Sequence, residues 1–100
     1  MKIDSFVTIQ LIEPVERYWG RLLALTEAGI TIRGIEINQI QTFKYQFRKG
    51  ETQVFPQTVF FPLRRVQRIN LDESLEEVPS VIEDIKEFTG LDENRILGDS

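Results

Sequence analysis

The chain contains no histidine and no cysteine among its 100 residues. Without histidine it lacks the commonest general base and metal ligand of neutral pH, which excludes hydrolase triads and histidine-based metal sites. Without cysteine there is no disulfide framework and no thiolate chemistry, a composition that fits a cytoplasmic protein. No stretch approaches the run of about 18 apolar residues that a membrane span requires. The opening MKIDSFVTIQ has neither the long apolar stretch nor the small-residue cleavage site of a secretory signal. Calcium-loop spacing, a phosphate-cradling glycine loop and a nucleophile elbow are also missing. These absences together lead us to expect a protein that is not an enzyme and has no cofactor, metal or small-molecule substrate.

What the chain does have is a globular composition, 41% apolar with seven Phe, two Tyr and one Trp, in a length that encloses a single core. The formal charge of −4 is unevenly spread. Residues 1–71 carry ten Lys/Arg against six Asp/Glu, whereas residues 72–100 carry two against ten. We therefore expect one domain, with a mildly basic β portion over 1–71 and an acidic helical tail over 72–100 packed on it.

Hydrophobic alternation marks the β portion. Phe6–Ile12 places Val7, Ile9 and Leu11 on one face, and Glu13-Pro14 ends the strand. Arg17–Thr26 is a long second strand with Gly20 near its start, and Glu27-Ala28-Gly29 forms a tight turn. In the third strand, Ile30–Ile40, the phase changes at Gly34. A bulge or bend there would keep Ile30, Ile32, Ile35 and Ile37 inward, as closing a short sheet into a barrel requires. Phe43, Tyr45 and Phe47 alternate with Lys44, Gln46 and Arg48. This pattern predicts an extended hairpin that turns at Lys49-Gly50 and returns along Thr52–Phe61. Leu63-Arg64-Arg65 is a short turn before a last strand, Val66–Leu71.

Beyond Asp72 the periodicity becomes helical. Pro79 precedes a capping box, Ser80 to Glu83, and Val81, Ile82, Ile85 and Phe88 form one stripe of a helix over Ser80–Thr89 that Gly90 stops. The remainder, Leu91–Ser100, is expected to be partly frayed, with Leu91, Ile96 and Leu97 as anchors.

Over Phe6–Leu71 this pattern resembles the Sm-like family, small bent five-stranded β-barrels that include the bacterial RNA chaperone Hfq and the eukaryotic Sm proteins. Other SH3-like barrels are the broader match. Val7-Ile9-Leu11, Gly20, Leu22, Leu25, Ile30 and Ile32 fall on the first Sm motif. Val59–Pro62, Leu63-Arg64-Arg65 and Val66–Leu71 fall on the second. Thr26 stands where that first motif has an acid that shapes the family's RNA pocket, and the helix is C-terminal rather than N-terminal. The resemblance implies a small, strongly bent Sm-like or SH3-like barrel with a C-terminal helix.

Two functional classes follow. The resemblance implies self-assembly, by pairing the fourth strand of one subunit with the fifth of the next. The candidate interface residues are Val59, Phe60 and Phe61 with Val66, Ile69 and Leu71, so a homo-oligomer or another protein partner is expected. The alternative is weak RNA binding. Arg64, Arg65 and Arg68 would contact phosphate as guanidinium forks, and Lys44, Arg48 and Lys49 would join the aromatics of the hairpin to stack bases. Each cluster also has an ordinary reading: the arginines as solvent-facing partners of the acidic tail, and the alternating aromatics as one buried strand face. Trp19 suits core or interface equally, and the carboxylates Glu76, Glu77, Glu83, Asp84 and Glu87 suit a solvated helix face.

Overall fold

The computed structural model describes residues 1–98. The chain forms β1 (Phe6–Leu11), β2 (Glu16–Leu25), β3 (Gly29–Glu36), a 3₁₀ turn (Ile37–Gln39), α1 (Ile40–Lys49), β4 (Gln57–Pro62), a second 3₁₀ turn (Leu63–Arg65), β5 (Val66–Leu71), α2 (Val81–Thr89) and α3 (Glu93–Leu97). The strands make one antiparallel sheet in the order β4-β3-β2-β1-β5. The fold is thus mainly β. Strands β4 and β5 are the two edges of the sheet and do not pair with each other, so the sheet is not closed into a barrel.

The sheet is nevertheless sharply curled. Extended, the ten residues of β2 would span about 33 Å, with the β1–β2 turn at one end and the β2–β3 turn at the other. The same three-residue turn, Leu63–Arg65, binds both. The Leu63 N–H donates to the Ala28 carbonyl (3.0 Å), and the Ile12 N–H donates to the Arg65 carbonyl (2.8 Å). Two chain steps reach only about 7 Å, so β2 must bend.

It bends where side chains are missing. Gly20 and Gly34 face each other across β2 and β3. A Cβ at Gly34 would collide with the Trp19 carbonyl, and one at Gly20 with the Arg33 carbonyl. A register shift between Leu22 and Ala24 adds a residue to β2 and increases its twist.

The predicted bulge at Gly34 does not occur: β3 pairs regularly with β2 from Ile32 to Glu36, and the irregularity lies in β2. Nor do the four isoleucines share a face. Ile30 and Ile32 join Val7, Ile9, Leu11, Leu22 and Phe61 in a core on the inner face. Ile35 faces the opposite way, joining Phe6, Trp19, Ile40, Phe43, Val54, Ile82, Ile85, Ile96 and Leu97, with Ile37 packed at the margin. The phase change needs no bulge because both faces of the sheet are covered, the outer one by the helices.

The predicted hairpin over Phe43–Phe61 is also overturned, because Ile40–Lys49 is a helix. Ile40, Phe43 and Phe47 have the i, i+3, i+7 spacing of one helical face as well as partial alternation, and α1 turns that face onto the outer core. Gly50, expected in a hairpin turn, has φ +71° and is the left-handed cap of α1, its N–H donating to the Gln46 carbonyl at 3.0 Å. The chain then returns irregularly. The buried Gln46 amide holds this segment, donating to the Val54 carbonyl (2.9 Å) and accepting from the Gln53 and Val54 N–H groups (3.1 and 2.9 Å). Strand β4 begins only after Pro56.

Asp72 secures the helical layer. One carboxylate oxygen accepts from the Val81 N–H at 2.8 Å, and the other accepts from the Ile82 N–H and the Trp19 indole, both at 3.0 Å. One side chain thus joins the end of β5, the first turn of α2 and the fully buried Trp19. The expected cap is also formed: Ser80 Oγ accepts from the Glu83 N–H at 3.2 Å. Beyond Gly90 the chain is more ordered than expected, with α3 burying Ile96 and Leu97. The rest of the expected frayed segment, residues 99–100, lies outside the described residues.

Two stability experiments follow. Gly34→Ala should cost about 3 kcal/mol or more through backbone collision, against about 1–2 kcal/mol for Gly50→Ala, which meets only the left-handed backbone penalty. Thermal denaturation of the two variants side by side checks the difference. Asp72→Ala leaves three donors unpaired and should cost about 2–3 kcal/mol, with a change in Trp19 fluorescence in the folded state.

Candidate functional site

Among the described residues each edge strand is paired on one side only, β4 to β3 and β5 to β1. The β4 segment QTVFFP contains no charged residue, and β5, VQRINL, contains one, Arg68. Side chains alternate along β4, whereas β5 has a register irregularity opposite Gln10 and Leu11, so that Val66 and Ile69 both turn inward. Phe61 is buried in the inner core, 4.8 Å from the Tyr18 ring, and Val59, Val66 and Ile69 pack against the same core. Those four candidate interface residues therefore face inward; Phe60, on the other face of β4, is 53% exposed, and Leu71, opposite Val7 at the end of β5, is 45% exposed.

The six basic candidates do not form one surface. Arg65 is engaged inside the fold. Its guanidinium donates to the Ile12 carbonyl (3.1 Å), the Pro14 carbonyl (3.0 Å) and Glu16 Oε1 (2.8 Å), tying the 3₁₀ turn to the β1–β2 turn. Arg64 and Arg68 are exposed, on the turn and on β5.

Lys44 and Arg48 lie on α1 and face α2. Lys44 is buried, 3.0 Å from Asp84 and 4.8 Å above the Phe88 ring. The Arg48 guanidinium stacks 3.7 Å from the same ring and donates to the Phe88 carbonyl. Lys49, at the end of α1, is exposed. Three of the six cations thus hold the fold together, through charge-assisted hydrogen bonds and cation–π contacts. The aromatics expected between them have parted: Phe43 is in the core, and Tyr45 meets Phe88 edge-on at 4.8 Å.

Thr26, at the position of the Sm-motif acid, closes the β2–β3 turn. Its N–H donates to the Gly29 carbonyl (2.9 Å), and its hydroxyl oxygen accepts from the Ala28 N–H (3.2 Å).

Two arginines that sequence reading did not single out support α3. Arg21 and Arg33 are cross-strand neighbours on the outer face. Arg33 Nε donates to the Leu97 carbonyl (2.9 Å), while Arg21 reaches Asn94 Oδ1 (3.2 Å) and the Gly98 carbonyl (3.4 Å). Their like charges share the carbonyl end of that helix. The only sequence signal was two arginines interrupting apolar strands at matching positions.

Tyr18, Glu36, Gln39, Gln53 and Gln57 are among the residues lining a cleft of about 310 Å³ beside β4. Tyr18 Oη lies 3.5 Å from Glu36 Oε1. Burial and the nearby Glu36 and Glu16 carboxylates raise the Tyr18 pKa above its ordinary value of 10.0. Among the described residues, no group of three or more metal-ligating side chains converges, and no helix is long and apolar enough to cross a membrane.

No protein family, curated protein or solved structure matches this chain. The surfaces themselves must carry the functional argument.

The Tyr18 shift has a measurable consequence. A phenol whose pKa is raised by folding keeps its proton in the native state when the unfolded chain has already lost it. Stability is therefore retained below about pH 10 and falls as pH rises through the folded-state value. Denaturant titrations in the alkaline range should show this fall in the wild type and a shallower one in Tyr18→Phe.

Proposed function

We propose that this protein is a non-enzymatic module that associates through its sheet edges, with β4 of one copy pairing antiparallel to β5 of the next. The observation that carries the proposal is the pair of open six-residue edges, flanked by half-exposed Phe60 and Leu71. Natural sheets normally blunt such edges with charges, bulges or a covering element, and β4 has no charged residue. Its Pro62 interrupts only the last position. Main-chain hydrogen bonds would supply the affinity of strand addition, and the outward side chains its specificity. The two edges are unlike. Pairing β4 with β5 covers both in a head-to-tail arrangement, whereas pairing like with like leaves one exposed.

The same reading includes a fold assignment. We infer that the curled sheet is a divergent Sm-like barrel left open between β4 and β5. Support comes from the strand order, the glycine in β2 and the 3₁₀ turn between the last two strands. RNA binding is the weaker alternative, because Arg65, Lys44 and Arg48 are already engaged within the chain.

Light scattering over micromolar to hundred-micromolar concentrations provides the test. The wild type is expected at a multiple of the chain mass. Phe60→Asp and Leu71→Asp, on opposite edges, should each shift it at least tenfold toward monomer while circular dichroism stays unchanged. A wild type that is monomeric throughout would refute the proposal.

A further inference from the structure

A second surface lies away from both strand edges. On either side of Ile37 is a mainly apolar cavity. One, of about 340 Å³, is lined by Val15, Glu16, Arg17, Glu36, Ile37 and Asn38. The other, of about 380 Å³, is lined by Ile37, Ile40, Gln41, Val78, Pro79, Ser80, Val81 and Asp84. Ile37, between the end of β3 and the start of α1, lines both, so the two cavities adjoin as lobes on either side of it.

Their apolar rim is unusually open. Val15 is 71% exposed, Val78 68% and the neighbouring Leu75 64%, the three most exposed large hydrophobics along with Phe55 at 64%. Isolated exposed apolar residues need no explanation, but a cluster around a groove does.

The cluster also belongs to a built loop. Leu75 and Val78 exchange two backbone hydrogen bonds of 2.9 Å. The Ser80 N–H donates to Ser74 Oγ at 3.0 Å, and Asp72 closes the loop's base by accepting from Val81 and Ile82. The loop therefore holds two apolar side chains in water at fixed positions, which folding alone does not favour.

Carboxylates outnumber cations in the lining, Glu16, Glu36 and Asp84 against Arg17. Glu16 and Asp84 are paired with Arg65 and Lys44. Among the described residues Glu36 meets only the long Tyr18 contact at 3.5 Å, and Glu76 and Glu77 sit at the tip between Leu75 and Val78. Glu36 and Arg17 therefore offset each other in the lobe beside Val15, while Glu76 and Glu77, which line neither lobe, add negative charge next to Val78.

We propose that this groove binds a peptide segment of a partner protein that carries two apolar anchors flanked by lysine or arginine. One anchor enters the lobe beside Val15 and the other the lobe beside Val78, with Ile37 between them. This is the logic by which amphipathic segments seat in apolar grooves, where side-chain anchors give affinity and complementary charge selects the partner. The carboxylates beside Val78 disfavour an acidic segment. The site is separate from β4 and β5, so it stands or falls independently of edge pairing.

The test is a selection of random displayed peptides on the full-length protein, with counter-selection on Val15→Asp/Val78→Asp. Both positions are largely exposed, so the variant is expected to fold, which circular dichroism verifies. If circular dichroism shows it misfolded, Val15→Ser/Val78→Ser replaces it in both steps. Enriched peptides should share at least two apolar residues with neighbouring Lys or Arg. By fluorescence anisotropy, a synthetic copy of the most enriched peptide should bind the counter-selection variant at least tenfold more weakly than the wild type. Glu36→Gln/Glu77→Gln should weaken it about three- to fivefold, in a salt-sensitive manner. The proposal is overturned if no peptide enriches above the variant, if enriched peptides are acidic or lack apolar anchors, or if the variant binds equally well. It is also overturned if the groove substitutions abolish self-association of the wild type, because the occupant would then be a second copy.

Discussion

The structure depends on one constraint: a three-residue 3₁₀ turn binds both ends of a ten-residue strand. Leu63 reaches the β2–β3 turn and Arg65 the β1–β2 turn, which a straight β2 would hold several nanometres apart. Everything else accommodates that closure. Gly20 and Gly34 face each other because no Cβ fits between the bent strands, and the extra residue between Leu22 and Ala24 sharpens the twist. The curl creates an inner face that Val7, Ile9, Leu11, Leu22, Ile30, Ile32 and Phe61 fill without help from any helix. Arg65 belongs to this device: its three hydrogen bonds fix the turn against the start of β2.

Curling in this way leaves the outer face uncovered, and the helical layer answers that need. Asp72 sets its geometry by accepting from Trp19 and from the first turn of α2. The seam between α1 and α2 is unusually cationic, with Lys44 and Arg48 around Phe88 and Lys44 paired to Asp84. These residues carry the positive charge that a nucleic-acid surface would need, which moves the functional argument toward protein contacts. The sheet edges and the apolar groove at Ile37 are two different surfaces of this kind, one formed by unpaired backbone and the other by unpaired side chains.

Much of the β architecture was legible from local pattern. Alternation located β1, an apolar run ended by a tight turn located β2 to within a residue, and the Leu63-Arg64-Arg65 turn marked the start of β5. The glycines marked the bend, and the Ser80–Glu83 capping box located α2. The misreadings share a physical cause. Phe43 and Phe47, four residues apart, satisfy the two-residue period of a strand and also fall on one face of a helix. Gly50 suits a hairpin turn and a helix cap equally. Only the outer core, which Ile40, Phe43 and Phe47 contact together, favours the helix. Ile35 was placed on the wrong face for a related reason: its phase follows from which side of the sheet is covered, which no strand encodes by itself. The engagement of Arg65 and Lys44 within the fold was not legible locally, because their partners lie 49 and 40 residues away.

By itself, then, the sequence determined the mainly β character, the bend at Gly20 and Gly34, the capped acidic helix and the lack of histidine and cysteine chemistry. Each of these is a local property: side-chain period, backbone freedom, capping or composition. Tertiary structure alone decided that the segment after β3 is helical, that both sheet faces are buried, that the cations divide between the turn and the helices, and that Ile37 lines one cavity with Val15 and another with Val78. These depend on contacts between residues far apart in the chain, which become adjacent only once β2 has bent.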